Sequence, residues 1–460
     1  MRKAWTTLAV VVMASFQVAM TLSVVFVVFV DLDDYFPEAS SAQLSWAINA
    51  FTIVLASTVV LGSAIADRYG RKRVAIAGAL VFGLGSVVAG TAPTIPILIL
   101  GRCIQALGAA AFGPASLALV LDAFPFERRG IAMGVFTMGG AFAAGSGPAL
   151  GGVIVDNLGW RWAFLVVVPV GVIAAGIGAV VWEESDAAKT DRLPDPLGSV
   201  LILSGVGLLV LALVQSDEWG WLDARTAASA VAGVALLAGL LRRSATHPRT
   251  TIDLAMYRHR TFRAGSTSFA VFATSFFAMT FSAVLYLTEV WEYDLGTAGL
   301  LAAPFFLATG MTGPFAGRLV DRIGPKPLVI AGTLAWGATI TVLALSIDEE
   351  RNVALWLVLL ITAGIGSGFY WGGAPTLAVE GLDGPHFAAA GGVNQTLQNI
   401  GSSFAIAIAI TLLGDDPTRG DFTPVFVVVV IAAVVTALVV STADGRVSRP
   451  SPSPVQAPSR

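Results

Sequence analysis

The sequence predicts an all-α, polytopic membrane protein of fourteen transmembrane helices, and three observations predict it. Of 460 residues, 56% are apolar and 12% charged, with a mean hydropathy of +0.79. A soluble domain carries about 25% charged residues, so this chain lacks the groups to solvate a water-facing surface. Apolar stretches long enough to cross ~30 Å of hydrocarbon recur along the whole length. One short charged sequence, Asp67-Arg68-Tyr69-Gly70-Arg71-Lys72, returns in the second half as Asp321-Arg322-Ile323-Gly324-Pro325-Lys326.

The stretches run roughly over 7–30, 44–64, 74–92, 95–121, 131–155, 163–182, 197–215, 226–241, 264–288, 297–316, 328–346, 353–378, 387–413 and 423–442. The first follows Met1-Arg2-Lys3 as a signal peptide would, but it is too long for a signal core and leads directly into further spans, so it reads as retained. The eighth is short and rich in Ala and Gly. Without the seventh and eighth the number of spans would be twelve.

Basic residues set the orientation. With the N-terminus in the cytoplasm, the inner loops and tails hold 22 of the 27 Lys and Arg. The outer side holds only Arg161, Arg225, Arg351 and Arg419, and Arg102 lies within a span. Both termini are therefore expected inside. The acids favour the outer side, which becomes an acidic rim able to draw cations. Trp160, Trp162, Trp219, Trp221 and Trp291 fall at outer span ends, where indole favours the headgroup layer. The basic loop over about 242–263 is expected on the anionic cytoplasmic leaflet. The Pro/Ser-rich tail over 443–460 is expected to be disordered.

Other classes are excluded. A net charge of −3 with no basic domain argues against nucleic-acid binding. A single cysteine, Cys103, rules out a disulfide framework and a thiolate cluster. His247, His259 and His386 are far apart, and no metal site is expected. No catalytic dyad, soluble catalytic domain or signalling domain supports an enzyme or a sensor.

The charged repeat is of the kind secondary transporters carry, with the substrate site near the midplane between two halves. Around it the sequence resembles the Major Facilitator Superfamily, within it the fourteen-helix drug:proton antiporter branch. GSAIADRYGRKR at 62–73 resembles the superfamily's loop signature. LGRCIQALGAAAFGPASLAL at 100–119 resembles its fourth-span signature, and GGAFAAGSGPALGG at 139–152 its fifth-span antiporter signature. The resemblance covers nearly the whole chain. It implies two six-helix bundles with pseudo-twofold symmetry, over 1–190 and 246–442, with two linker helices over 191–245. It further implies alternating access and no cofactor.

Candidate residues follow. Asp67, Arg68, Gly70, Arg71 and Arg73, with Asp321, Arg322 and Gly324, are candidate gating loops. Asp67 could cap a helix of the other bundle or pair with Arg71 or Arg73, and the alternative is a loop that sets orientation alone. Arg102 sits inside a span at a cost of ~2.5–3.5 kcal/mol and must face protein or a wet cavity. Gln105 shares its helix face. The two read either as coupling machinery or as a structural arginine bonded to carbonyls. Gly147, Pro148 and Gly151 read as a hinge or as close packing. Gln17, Thr21, Phe276, Tyr370, Trp371, Asn394 and Gln398 are candidates for the substrate cavity.

Where the antiporter branch has an acid, an asparagine and a proline in its first span, this chain has Thr21, Phe26 and Val30. No Asp or Glu falls at mid-membrane, so proton coupling would rest on Glu289 or Asp31 at the outer side. The expected function is secondary active transport, as efflux of small organic or drug-like compounds with protons as the candidate coupling ion. An importer or uniporter of a small metabolite is the alternative. A monomer in a cell membrane is expected. The preference for Arg over Lys points to a GC-rich bacterial genome, and hence to the bacterial inner membrane.

Overall fold

The structure is a computed structural model that describes residues 2–125, 129–184, 195–246, 256–380, 382, 387–414 and 417–444. The helices are α1 (Arg2–Tyr35), α2 (Ser41–Tyr69), α3 (Arg71–Gly90), α4 (Ile95–Ala123), α5 (Arg129–Leu158), α6 (Trp160–Leu165), α7 (Val167–Val181), α8 (Pro196–Val214), α9 (Ser216–Trp219), α10 (Ala224–Thr246), α11 (Arg260–Leu285), α12 (Leu295–Ile323), α13 (Pro325–Ser346), α14 (Val353–Val379), α15 (Phe387–Leu413) and α16 (Arg419–Ser441). Their α1–α2 ends are the "acidic end" of the molecule, and the α2–α3 turn marks the "basic end".

Local sequence explains the boundaries. Ser40, Asp195, Asp294 and Asn352 accept hydrogen bonds from first-turn N–H groups of α2, α8, α12 and α14. Thr418 and Asp421 form a capping box on α16. One residue separates α2 from α3 and one separates α12 from α13. Both are glycines at positive φ, Gly70 at +104° and Gly324 at +83°, where an L side chain would be strained.

All fourteen apolar stretches coincide with helix, and α10 runs longer than its stretch implied. Length and hydropathy by themselves license twelve membrane spans among the described residues. A thirteenth is added if α2, bent by 50° between Gln43–Val59 and Leu61–Tyr69, counts as one span. Fourteen crossings thus go beyond what these two measures establish. The tail over 445–460 and the loop residues 247–255 lie outside the described residues.

The packing repeats between the halves. In the first, α4 packs against α2 and α3, α1 against α5 and α7, and α3 against α7. In the second, α14 packs against α12 and α13, α11 against α15 and α16, and α13 against α16. The halves meet through α5 with α12 and through α2 with α15. The pair α8 and α10 packs as a hairpin, with α8 resting on both α2 and α15. Its basic ends are tied by Arg243, which donates from Nε and Nη2 to the buried Asp195 carboxylate at 2.9–3.2 Å.

Lipid tails are as apolar as leucine, so helices in a bilayer adhere by fit, and small residues allow the closest fit. A Cβ on Gly78 would lie 2.7 Å from Phe112 N, and one on Gly108 would run into Phe82 N, so α3 and α4 touch backbone to backbone. Gly332 and Gly366 seat α13 on α14 in the same way, and Gly364 and Gly368 seat α14 on α12. Two tryptophans expected in the headgroup layer are core residues instead. Trp160 is 2% exposed, packed with Tyr35, Phe36 and Phe164, and Trp291 is 1% exposed, donating from Nε1 to Asp348 O at 2.8 Å. Both sit where loops fold back over helix ends, which a span count does not register. Trp162 and Trp221 are exposed.

Gly108→Val should lower unfolding stability by about 1–3 kcal/mol through overpacking. Gly113→Ala, whose new methyl meets nothing within 4 Å, should leave it nearly unchanged. Thermal melts in detergent followed by tryptophan fluorescence measure both.

Candidate functional site

At the basic end the first copy of the charged turn is a small network. Arg71 donates from Nη2 to Asp67 Oδ1 at 3.4 Å and from Nη1 to Asp122 Oδ2, so one guanidinium joins α2, α3 and α4. Glu184, just past α7, accepts from Lys72 N at 3.1 Å and lies 3.8 Å from Arg73 Nε. A carboxylate there meets the positive end of α3. These contacts of Asp67, Arg71, Lys72 and Arg73 stay inside the first half. Arg68 stacks over Tyr69 at 5.6 Å. In the second copy Lys326 donates from Nζ to Ala443 O at 2.6 Å, just beyond α16. Each turn thus grips the end of the last helix of its own half, α7 or α16, through a backbone N–H in one case and an ammonium in the other. Arg322 is exposed in the last turn of α12, and the Asp321 side chain lies outside the described residues.

Arg102 is 1% exposed. It donates from Nε to Ala47 O at 2.7 Å and from Nη1 to Gln105 Oε1 at 2.8 Å, and Gln105 Nε2 donates to Ser86 Oγ at 2.7 Å. The guanidinium lies 4.5 Å from the Phe51 ring centroid and 5.9 Å from that of Phe164. One charge therefore links α2, α3, α4 and α6. Backbone carbonyl, side-chain amide and aromatic faces together offset its burial.

The seam between the halves is closed at its acidic end. A Cβ on Gly152 of α5 would strike Leu295 O of α12, and Asp156 Oδ2 accepts from Gly296 N at 2.8 Å. Phe29 of α1 meets Phe281 of α11 edge to face at 5.3 Å. Further along, Thr52 and Ser403 hydroxyls share a hydrogen bond at 2.6 Å, and Thr396 donates to Ala56 O at 3.1 Å, tying α2 to α15.

The cavity candidates separate into two groups. Gln17 and Thr21 are fully buried. Gln17 rests against Gly171 of α7 and Thr21 bonds its own helix at Gln17 O, so both turn into the first half and away from the seam. Tyr370 stacks on Phe272 at 3.7 Å with its hydroxyl 3.0 Å from Ser268 Oγ, and Phe276 stacks on Trp336 at 6.0 Å. Asn394 accepts from Ser266 Oγ at 2.6 Å. These three hold α11, α13, α14 and α15 together inside the second half. Trp371, Gln395 and Gln398 are half-buried, with Gln395 donating weakly to Gln398 and Asn399. A polar or aromatic residue on a membrane helix packs against whichever helix lies nearest, and helical spacing does not say which that is; the buried Gln17 amide does so with no hydrogen-bond partner, among the described residues, for either of its polar atoms.

Asp31 is half-buried and accepts from Trp160 N at 3.3 Å, at the N-terminus of α6. Glu289 is exposed in a π-helical turn, Tyr286–Val290, and accepts from Thr288 Oγ1 at 3.2 Å. In α5, Gly147 is buried and Gly151 seats Val24 of α1, and the helix continues through Gly147-Pro148. The Pro148 ring lies outside the described residues. Sequence reasoning missed Glu184 and Asp156 as partners. Each acid sits near a helix terminus in sequence, the one signal available.

Arg102→Met should cost about 2–4 kcal/mol, because it removes charged hydrogen bonds and strands Gln105. The drop is read as a lower unfolding midpoint, with Arg102→Lys intermediate.

Comparison with known proteins agrees with this architecture. The profile of the Major Facilitator Superfamily matches residues 7–241 and 266–459. Multidrug resistance protein Stp of Mycobacterium tuberculosis is 32% identical over 377 residues, covering 80% of this chain and 68% of that protein. The tetracenomycin C resistance and export protein of Streptomyces glaucescens is 27% identical over 414 residues, covering 89% and 76%. Drug efflux pump JefA of M. tuberculosis is 28% identical over 408 residues, covering 85% and 78%. With a repeated helical fold, a seam between halves and a family match over nearly its whole length, the chain belongs to the Major Facilitator Superfamily and is a multi-pass membrane transporter, not an enzyme.

Proposed function

We propose that the protein is a proton-coupled exporter of small organic compounds that works by alternating access. Two six-helix bundles, over 1–190 and 246–442, rock about the α5–α12 and α2–α15 seams. The linker pair over 191–245 rides on the second seam, and with it the chain crosses the membrane fourteen times as a monomer. The basic end faces the cytoplasm with both termini, a reading that the distribution of Arg and Lys supports. The observation that carries the reading is the seam itself. It is shut at the acidic end by contacts that cross between the halves, which is one of the two end states alternating access needs. Relatives whose names describe drug resistance and efflux support the direction and the substrate class.

In this reading the Asp67–Arg71–Asp122 cluster keeps α2, α3 and α4 moving as one block, and in the second half, at the turn marked by Asp321, Arg322 and Gly324, Lys326 ties α13 to the end of α16. Arg102 holds the acidic half of the first bundle rigid. Substrate enters along the partly exposed side chains between the halves, where Trp371 gives aromatic surface and Gln395 and Gln398 give hydrogen bonds. Coupling uses carboxylates reached from the acidic side, Glu289 or Asp31.

Purified protein in vesicles carrying a proton gradient, acid inside, should take up members of a panel of small organic compounds unchanged. Flux that ignores the gradient would overturn the coupling, and no flux of any compound would overturn the export reading. Arg71→Ala should slow flux about tenfold, since a bridged charge pair contributes on that scale. Glu289→Gln or Asp31→Asn should flatten the pH dependence of flux, and an unchanged profile in both removes them as coupling residues.

A further inference from the structure

The face that α2 turns to α15 carries more polarity than its hydrogen bonds use. Ser45, Asn49, Thr52 and Ala56 recur every three or four residues and form one stripe along α2. On α15 the corresponding stripe is Thr396, Asn399, Ser403, Ala407 and Ile410. Two contacts show that the stripes face each other: the Thr52–Ser403 hydroxyl pair at 2.6 Å, and the Thr396 hydroxyl on Ala56 O at 3.1 Å. They also show that the helices run antiparallel. Asn49 therefore lies toward the acidic end and comes level with Ile406-Ala407-Ile408-Ala409-Ile410, a run with no polar side chain. Thr52 and Ser403 can also donate to carbonyls of their own helices, at Asn49 O and Asn399 O. The Asn49 amide has no such outlet. It is 0% exposed, and neither its Oδ1 nor its Nδ2 has a hydrogen-bond partner among the described residues. Gln17 gives the contrast. Its amide is equally buried and equally unpartnered, but it lies inside the first half against Gly171 of α7, a contact that stays together while the halves rock.

We propose that Asn49 biases the transporter against the state closed at the acidic end: its unmet hydrogen bonds raise the energy of the packed α2–α15 seam, and parting that end lets the amide bond to water. The inference rests on the alternating-access reading above and gives Asn49 a positioning role in it. A buried amide without a partner is costly, and the cost falls on whichever state buries it. Inside a half, as at Gln17, both end states carry that cost alike and it affects stability alone. On the seam one end state carries it and the other does not, so it moves the balance between them. The Thr52–Ser403 and Thr396–Ala56 bonds act in the opposite sense and hold the same seam together. The α2–α15 surface is thus a close match of attraction and penalty, and neither end state is a trap.

The test uses full-length protein carrying Cys103→Ala, with spin labels at the exposed Leu158 and Leu300 on α5 and α12. The labels span the other seam, so they report whole halves parting and not a local change at α2. Their separation is measured in lipid nanodiscs on a Gly152→Ala background, whose methyl would run into Leu295 O and so populates the parted state. Asn49→Leu, close in shape but without the polar atoms, should lower the ratio of long to short separations about tenfold, the scale of one unsatisfied buried group removed. Asn49→Thr, of nearly the same volume, should lower it too, because a threonine there can donate to a carbonyl of its own helix as Thr52 does to Asn49 O at 3.0 Å. Gln17→Met should raise the melting midpoint and leave the ratio where it was. An unchanged ratio in Asn49→Leu would overturn the proposal. So would a ratio lowered by leucine but not by threonine, which assigns the effect to apolar packing, or an equal shift in Gln17→Met. Flux of the unaltered protein in vesicles separates the two readings: flux with a ratio indifferent to Asn49 sinks this proposal alone, and absence of flux sinks the transporter cycle on which it rests.

Discussion

Helices in lipid gain nothing by hiding apolar side chains from one another, so they hold together only where their surfaces fit or their polar groups meet. The rest of this structure depends on that constraint. Within each half the fit is made by glycine, with α3 on α4 through Gly78 and Gly108, α13 on α14 through Gly332 and Gly366, and α14 on α12 through Gly364 and Gly368. Backbone touches backbone along these lines, and dispersion over many atoms makes each half a stiff block.

The surfaces between the halves use different chemistry. The α2–α15 contact runs through hydroxyls at Thr52, Thr396 and Ser403, and the α5–α12 contact ends in a carboxylate on a helix terminus. A few hydrogen bonds of this kind can be exchanged for bonds to water, whereas an interdigitated glycine face cannot part without losing all its contacts together. The division between what is rigid and what moves is therefore written in the kind of contact. The α8–α10 hairpin, laid across α2 and α15, adds a third element to the second seam alone.

Buried polarity serves the first purpose more than the second. Arg102, Gln105 and Ser86 form a chain inside the first half, and Tyr370 with Ser268 and Asn394 with Ser266 do the same in the second. In hydrocarbon an unpaired polar group is costly, so each finds the nearest partner. That is why Tyr370 and Asn394, which read as cavity residues by type and spacing, are packed inside the second half, while Gln17, Thr21 and Phe276 are buried as well and Trp371 and Gln398 are half-buried.

The sequence by itself determined the class of solvent, the positions of the helices, the repeated turn with a glycine in each copy, and an arginine within a span with Gln105 on its helix face. These follow from composition, from runs of ~20 apolar residues and from local stereochemistry, all of which are local along the chain. Only the tertiary structure decided that Arg71 reaches Asp122, that Glu184 caps α3, that Trp160 and Trp291 lie in the core, and that Asp156 crosses to α12. Those contacts join residues far apart in sequence, and every acid near a helix end looks alike until the neighbouring helix terminus is in place to attract it.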